Sequence, residues 1–349
     1  MSEPIVLAAD QVDPNLLKAF LCKVYSPLKC NFLNAHGQWW NQSNKNRLII
    51  QLEGNIIGYC AIIPTRTYLT GHVQSALWKI DLIIDPNYRG RGFQKLFDRR
   101  VQEMAELLLG FPNAGISSRV HRKLGWNVRE DARILLLPLS PQNVKTVCSA
   151  KGLRGTILRC GALVLSPLAA SWRTRIANQQ PEHVWKMVQF DGEILSKIFM
   201  QSKRDVINTT WRDRKYFEWR YGAAPQPQEY SYYLAGSEAA PSHYLIARHL
   251  TQGSNLRYTR ILDLFGDFND TSAVRNLLTL AVQDAISRKS GQVTLLASIP
   301  ELRLLANHIG FLFSSQVNFC WLSKSTELMS ALAGLNYWTL ADSDNDAPD

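Results

Sequence analysis

Two glycines set among arginines mark the stretch in which this chain could hold an anion. Tyr88-Arg89-Gly90-Arg91-Gly92 follows an alternating run rich in β-branched residues, Leu77 to Ile84, and precedes a run with Phe93, Leu96, Phe97, Val101 and Met104 on one helical face. The spacing predicts a strand ending at Asp85-Pro86, a glycine turn and a helix from Phe93. Such a turn can cradle a phosphate. Small residues let the backbone approach the anion, the unpaired N–H groups of the first helical turn point at it, and the positive end of the helix dipole favours its charge. The same residues would also serve as a plain tight connection. Inside the predicted strand, Asp81 is the second residue of chemical interest, because a carboxylate in a strand interior needs a partner or a task. Downstream, His121 sits among Arg119, Arg122 and Lys123, where it is either a proton carrier near neutral pH or a solvated surface residue. No Ser-His-Asp order, paired carboxylates or metal-ligand spacing appears elsewhere, which disfavours hydrolase and metalloenzyme chemistry.

The elements that must position these residues come in a simple order. Ile5-Val6-Leu7 reads as a strand, and Asp13-Pro14 opens a helix whose apolar face is Leu16, Leu17, Phe20, Leu21 and Val24. The segment from Ser26 to Trp40 carries no clear period; Phe32, Trp39 and Trp40 either pack in the core, the favoured reading, or line an acceptor pocket. Arg47 to Leu52 and Ile56 to Pro64 form a hairpin across Glu53-Gly54-Asn55, followed by a strand at Thr65 to Leu69 or Val73 to Leu77. After the glycine turn come a strand from Leu107 to Asn113, a helix from Ser117 to Trp126 and a strand from Arg133 to Leu139. This order suits a mixed sheet with helices on both faces.

The stretch 77–126 resembles the Gcn5-related N-acetyltransferase (GNAT) superfamily, whose signature Arg/Gln-x-x-Gly-x-Gly/Ala lies between the fourth strand and third helix. Here the signature stands as Arg89-Gly90-Arg91-Gly92-Phe93-Gln94, with Gln94 where Gly or Ala is usual, and Lys123-Leu124-Gly125-Trp126 matches the usual ending of the fourth helix. The resemblance implies acyl-CoA as co-substrate, with the coenzyme A pyrophosphate on Arg89, Gly90, Arg91, Gly92, Phe93 and Gln94. It implies that backbone of the fourth and fifth strands, at Ile83, Ile84 and Asn113, holds the donor. It implies direct attack of a primary amine on the thioester, with His121 at the position where family members often carry a tyrosine acid; the candidate base, from its place inside a strand, is Asp81. No metal is implied.

The second half repeats the first. A charged aromatic helix from Trp211 to Tyr221 is followed by strands at Tyr230 to Leu234, Tyr244 to His249 and Tyr258 to Leu264, a helix from Ser272 to Arg288, a strand from Val293 to Ala297 and a helix from Pro300 to Ile309. Ile261-Leu262-Asp263-Leu264 sits where Ile80-Asp81-Leu82-Ile83 sat, and His308-Ile309-Gly310-Phe311 echoes Lys123-Leu124-Gly125-Trp126. The expected fold is therefore α/β in the mixed α+β sense: two tandem GNAT-like domains, each a mixed, mostly antiparallel twisted sheet flanked by helices. In the second copy the loop is Phe265-Gly266-Asp267-Phe268-Asn269-Asp270, whose aspartates would repel a pyrophosphate, so that copy is expected to bind no coenzyme and to build an acceptor site or scaffold. The expected limits are 1–140 for the acyl-CoA domain, 141–183 for a basic, apolar connector, 184–338 for the degenerate copy and 339–349 for a disordered acidic tail.

Composition bounds the rest. A 349-residue chain that is 46% apolar, with 10 Trp, 12 Tyr and 13 Phe, has core enough for two domains. A net charge of +10 suggests an anionic partner: coenzyme A, an acidic carrier protein, an acidic leader peptide or a membrane surface; nucleic acid has no accompanying motif. Between Asp131 and Glu182 there are seven basic residues and no acidic one, so this segment is either a solvated connector or a docking surface for an acidic protein, a peptide or lipid headgroups. Its most apolar part, Thr156 to Trp172, is broken by Arg159 and Pro167 and falls short of the about 20 residues of a membrane span, so no transmembrane segment is expected. Six scattered cysteines with no C-x-x-C pair argue against a zinc site and a disulfide framework, and the start of the chain lacks signal-peptide character, which points to the cytoplasm. The function expected is N-acyl transfer from acyl-CoA, acetyl or a longer fatty acyl chain, to a small amine or to a lysine- or ornithine-type side chain in a peptide. A long chain would need an apolar channel, expected near Trp211 to Tyr221. The alternative is a non-catalytic GNAT-fold protein that engages an acidic partner.

Overall fold

The alternating runs of the first half pair as an antiparallel meander of β1 (Ile5–Ala8), β2 (Arg47–Leu52), β3 (Asn55–Leu69) and β4 (His72–Ile84). Residues 65–69 and 73–77, alternatives for one further strand in the sequence, are the two arms of a single hairpin. Thr70 and Gly71, both at positive φ, turn the chain between them. The computed structural model describes residues 3–112, 115–203, 208–253 and 256–343.

Two helices precede β2. α1 (Pro14–Val24) and α2 (Pro27–Trp40) each begin with proline after a capping side chain, Asp13 and Ser26, which accept the N–H groups of Asn15 and Lys29. α2 occupies the segment that showed no clear period. Phe32 and Trp40 are buried, and Trp39 exchanges indole N–H hydrogen bonds with Trp219, each ring donating to the other residue's carbonyl at 2.9 Å. A disulfide joins Cys22 to Cys30 and ties α1 to α2, a correction to the expectation drawn from cysteine spacing, which looks only for adjacent pairs.

The chain continues through α3 (Gln94–Met104), β5 (Leu107–Gly110), α4 (Ile116–Lys123) and β6 (Asn127–Pro138), then α5 (Lys145–Ser149) and α6 (Gly152–Ala177). β7 (Val184–Lys186), α7 (Gly192–Ser202), β8 (Asn208–Thr210) and α8 (Arg214–Phe217) open the second half. It then runs β9 (Tyr230–Ser237), β10 (Ala240–Gln252), β11 (Leu256–Phe265), α9 (Thr271–Ser287), β12 (Gln292–Ala297), α10 (Pro300–Ile309), β13 (Leu312–Ser323) and α11 (Thr326–Ala331). The helix expected over 211–221 is shorter, its regular turn confined to α8 before a wide turn at Glu218–Gly222.

The repeat is visible in the topology: β2-β3-β4-α3-β5-α4-β6 has its counterpart in β9-β10-β11-α9-β12-α10-β13. In both copies an antiparallel meander ends in a strand that pairs in parallel with the strand after the helix, β4 with β5 and β11 with β12. The last strands are exchanged. β6 pairs with β12 of the second copy, β13 pairs with β5 of the first, and β6 and β13 pair with each other, so one sheet runs β1-β2-β3-β4-β5-β13-β6-β12-β11-β10-β9-β7. β13 has no counterpart in the sequence reading.

The residues after β13 also depart from expectation. Thr339, Asp342 and Ser343 are buried, whereas 339–349 was expected to form a free tail; residues 344–349 lie outside the described part. The reason is Arg212, fully buried, whose guanidinium pairs with Asp263 of β11 at 2.8 Å and with Asp342 at 2.7 Å and donates to the Thr339 hydroxyl. A cation out of water needs such partners, and the end of the chain supplies one of them.

Candidate active site

The β4–β5 ladder consists of two rungs, Leu77–Leu108 and Trp78–Leu109. Among the described residues nothing pairs with the rest of β4 on that side, so the sheet opens into a wedge along 79–84. On the other side, β4 stays paired with β3 but carries a bulge, the register stepping from Ala61–Ile80 to Tyr59–Ile83. Asp81 lies in the bulge at φ +51, the left-handed region that a non-glycine residue occupies only when its surroundings hold it there.

The bulge decides which way the charges face. Lys79 points to the α3 side, where its ammonium pairs with the buried Asp98 and lies 4.6 Å from the Trp126 ring centre. A regular strand would send Asp81 after it, beside another carboxylate. The extra residue instead turns Asp81 to the α1–α2 side, where Oδ1 meets the Lys29 ammonium of α2 at 2.7 Å and the Tyr25 hydroxyl donates to its carbonyl at 2.6 Å. Its other oxygen, Oδ2, is buried without a hydrogen-bond partner. Ile83 follows onto the same side and Ile84 onto the α3 side.

His121 does not join Asp81. It projects from α4 onto the α3 side, buried against Trp126 at 5.1 Å between ring centres, with Nδ1 2.8 Å from the Ser117 carbonyl. Burial, and then the Lys79 charge, push its pKa down to about 4. It is thus neutral at physiological pH and is not the solvated residue of the sequence alternative; the two candidate catalytic groups lie on opposite faces of the sheet.

The glycine turn ends at the N-terminus of α3, as the pattern predicts. Gly90 and Gly92 take φ of +79 and +80, and a Cβ on either would meet open space rather than protein. α3 has no side-chain cap. Phe93 forms its N-cap and packs by Tyr88. The turn is anchored by Asp85, which accepts from the Asn87 N–H and from Lys23 at 2.6 Å; the Lys23 hydrogen bond holds its carboxyl below the usual range. Arg89 folds back to donate to the Ile84 carbonyl at 3.0 Å, and exposed Arg91 lies over Tyr88. Gln94 is half-buried with an unpartnered side-chain nitrogen. Asn113 lies outside the described residues.

The corresponding turn of the second copy is filled. The His243 ring occupies the place where a Cβ on Gly266 would stand, at 1.9 Å, and its Nε2–H donates to the Asp267 carbonyl, 2.9 Å away. Asp270 caps α9 by accepting the Ala273 N–H. Protein groups therefore supply there what an anion would supply at α3.

At the expected channel, the structure has an open cleft of about 330 Å³ whose lining mixes Gln42, Arg66, Asp213 and Lys215 with Pro64 and Trp211. Tyr216 and Trp219 line it as well, whereas Tyr221 is a core residue. Among the described residues no group of three His, Cys, Asp or Glu side chains could hold a metal ion. Sequence reasoning missed Tyr25, Lys29, Lys79 and Asp98. The last two carried a signal, since Lys79 sits between Trp78 and Ile80 in a strand and Asp98 falls on the helix face of Phe97 and Val101.

No family model and no curated protein matches the chain. Solved structures do. N-myristoyltransferase of Saccharomyces cerevisiae, with myristoyl-CoA bound, superposes with a TM-score of 0.63 at 12% identity, over 92% of this chain and 83% of that one. A GCN5-related N-acetyltransferase from Anabaena variabilis gives 0.60 at 16% identity, over 91% and 72%. The chain has a tandem GNAT fold. Its degenerate second copy is the one whose turn His243 fills.

Proposed function

We propose that the protein is an N-acyltransferase that moves an acyl group from acyl-CoA to a primary amine by direct attack on the thioester. The observation that carries this reading is the difference between the two glycine turns: uncapped and open at α3, filled by side chains at α9. The pyrophosphate would lie on the amides of 90–94, with Arg89 and Arg91 adding charge, and the pantetheine would run along the free edge of β4 at Ile83 and Ile84, as a strand substitute in the wedge.

The thioester then reaches the bulge. Asp81 Oδ2, lacking a partner, is placed to accept a hydrogen bond from the acceptor ammonium and to hold it for deprotonation, with Lys29 fixing the other oxygen. His121 is neutral and turned to Ser117, so it shapes the α3 side of the wedge and the departing thiolate takes its proton from water or from the acceptor. Both sides of the wedge carry charge, Lys79–Asp98 on one and Lys29–Asp81 on the other, which favours a short acyl group such as acetyl over a fatty chain. The myristoyl-CoA held by the yeast neighbour supports the longer donor as a second reading. The acceptor is a small amine or a lysine- or ornithine-type side chain.

Titration of the whole protein with coenzyme A tests the assignment: one site is expected, weakened at least tenfold by Gly92→Val. Binding unaffected by that change would overturn it. Competition of acetyl-CoA against acyl-CoAs of increasing length settles the donor, and affinity that rises steadily with chain length would remove the short-chain reading.

A further inference from the structure

The segment 141–183 is not an irregular connector. Its main element, α6, runs for 26 residues, about 39 Å at 1.5 Å per residue, and is long and apolar enough to cross a membrane. The sequence estimate, which stopped at 156 and 172, was too short because helical turns at both ends extend the apolar run. Yet α6 lies along the protein. Gly155, Ala162, Ala169 and Ile176 are its buried residues, one in every seven, and they line one face of the helix, Gly155 against the Ala150 backbone and Ile176 in the core of the body. Small residues there let the helix sit close.

Opposite that face, the helix turns a row of apolar side chains to solvent: Leu153, Ile157, Val164 and Leu168, at 78%, 63%, 75% and 66% exposure, spaced at whole turns. Leu163 and Leu165 widen the row on both flanks. A soluble surface does not keep such a face without something to cover it. The pattern is the reverse of an ordinary surface helix, whose large apolar residues face the body.

Charge identifies the cover. Lys151, Arg154, Arg159, Arg173 and Arg175 are exposed along the same helix, and no acidic residue lies between 131 and 182. Apolar side chains set between cations fit a bilayer of anionic phospholipid, whose acyl chains take the first and whose headgroups take the second. The patch continues past the helix. Trp172 packs against the backbone of Gly310, and Leu312 and Phe313, just beyond, are exposed, with the Arg133 guanidinium 5.1 Å from the Phe313 ring centre.

We propose that α6 is a membrane-docking helix that seats the protein on anionic phospholipid surfaces, lying in the headgroup plane rather than crossing the bilayer. The buried face of the helix requires the parallel orientation. The docking rests on the helix alone and does not depend on the acyl-transfer reading.

Flotation of the full-length protein with vesicles tests this. With phosphatidylcholine vesicles containing about one third phosphatidylserine, most of the protein should float; with phosphatidylcholine alone, at least tenfold less. Replacing Leu153, Ile157, Val164 and Leu168 together by Gln should abolish flotation, and so should Arg154→Gln with Arg173→Gln and Arg175→Gln. Both variants should keep the circular dichroism spectrum and the cooperative melting of the wild type, which shows that they fold. Four results would overturn the proposal. These are a wild type that stays at the bottom with both vesicles, a Gln variant that floats like the wild type, bound protein that resists a high-salt wash and needs detergent for release, and a wild-type dimer that the apolar variant makes monomeric. The third would mean a spanning helix, the fourth a second copy as the cover.

Discussion

His121 and Asp81 show how burial redistributes chemistry at single residues. The histidine binds its proton in the unfolded chain below pH 6.5 but in the folded protein only below about 4. Between those values the unfolded state holds more protons, so stability falls on acidification through that window, by up to about 3 kcal/mol. His121→Gln should flatten the melting temperature across that range, and a wild-type curve already flat there would mean that the ring is solvated. If Asp81 holds the acceptor as proposed, Asp81→Asn is expected to lower kcat at least tenfold while leaving coenzyme A affinity within about twofold, because the group would act on the acceptor and not on the coenzyme. Equal losses in both would return Asp81 to a purely structural role. Residue types pointed to this site but could not orient it. The strand was legible from alternation, whereas the bulge that turns Asp81 away from Lys79 depends on β3 and has no local code.

At the level of elements, the two helix N-termini make paired experiments. Gly92→Val forces a side chain into a left-handed turn, at a cost of about 1 to 3 kcal/mol, and narrows the cradle. Asp270→Ala removes the α9 cap, so it should lower stability by about 1 kcal/mol and leave coenzyme binding unchanged. If Asp270→Ala weakened binding instead, the assignment of the coenzyme to the first copy would fail. Most elements could be read from the chain. α1 and α9 declare themselves by caps and periodicity, α3 and α10 by periodicity alone, and the glycine turns by composition. α2 hid because its apolar residues surround it, with Trp39 bonded to Trp219 across the molecule. β13 hid because its first residues are exposed and its partners come from the other copy.

Across the whole molecule, the sequence limits at 140 and 184 do not separate two independent sheets. Each copy's final strand pairs within the other, so heating the full chain is expected to give one cooperative transition by calorimetry. Fragments 1–140 and 184–349 should be unfolded when made apart and should gain sheet structure, by circular dichroism, when made together. Two transitions, or a stable lone fragment, would contradict the shared sheet. The buried Arg212 makes the chain's end part of the same unit. Asp342→Ala leaves that cation paired with Asp263 but strips buried hydrogen-bond partners from Arg212 and Thr339, and should cost about 1 to 3 kcal/mol, read as a lower denaturant midpoint.

The exchange also imposes a schedule on biosynthesis. Of the described strands, β13 leaves the ribosome last, yet its place is between β5 and β6, near the middle of the sheet. Until residue 323 has emerged, those two earlier strands expose unpaired edges on a nascent chain that cannot complete its first copy. The native sheet of the first copy therefore cannot be completed before β13 is made. The strand order predicts that chains arrested before β13 are cut by protease much faster than the complete chain, and equal resistance would contradict it.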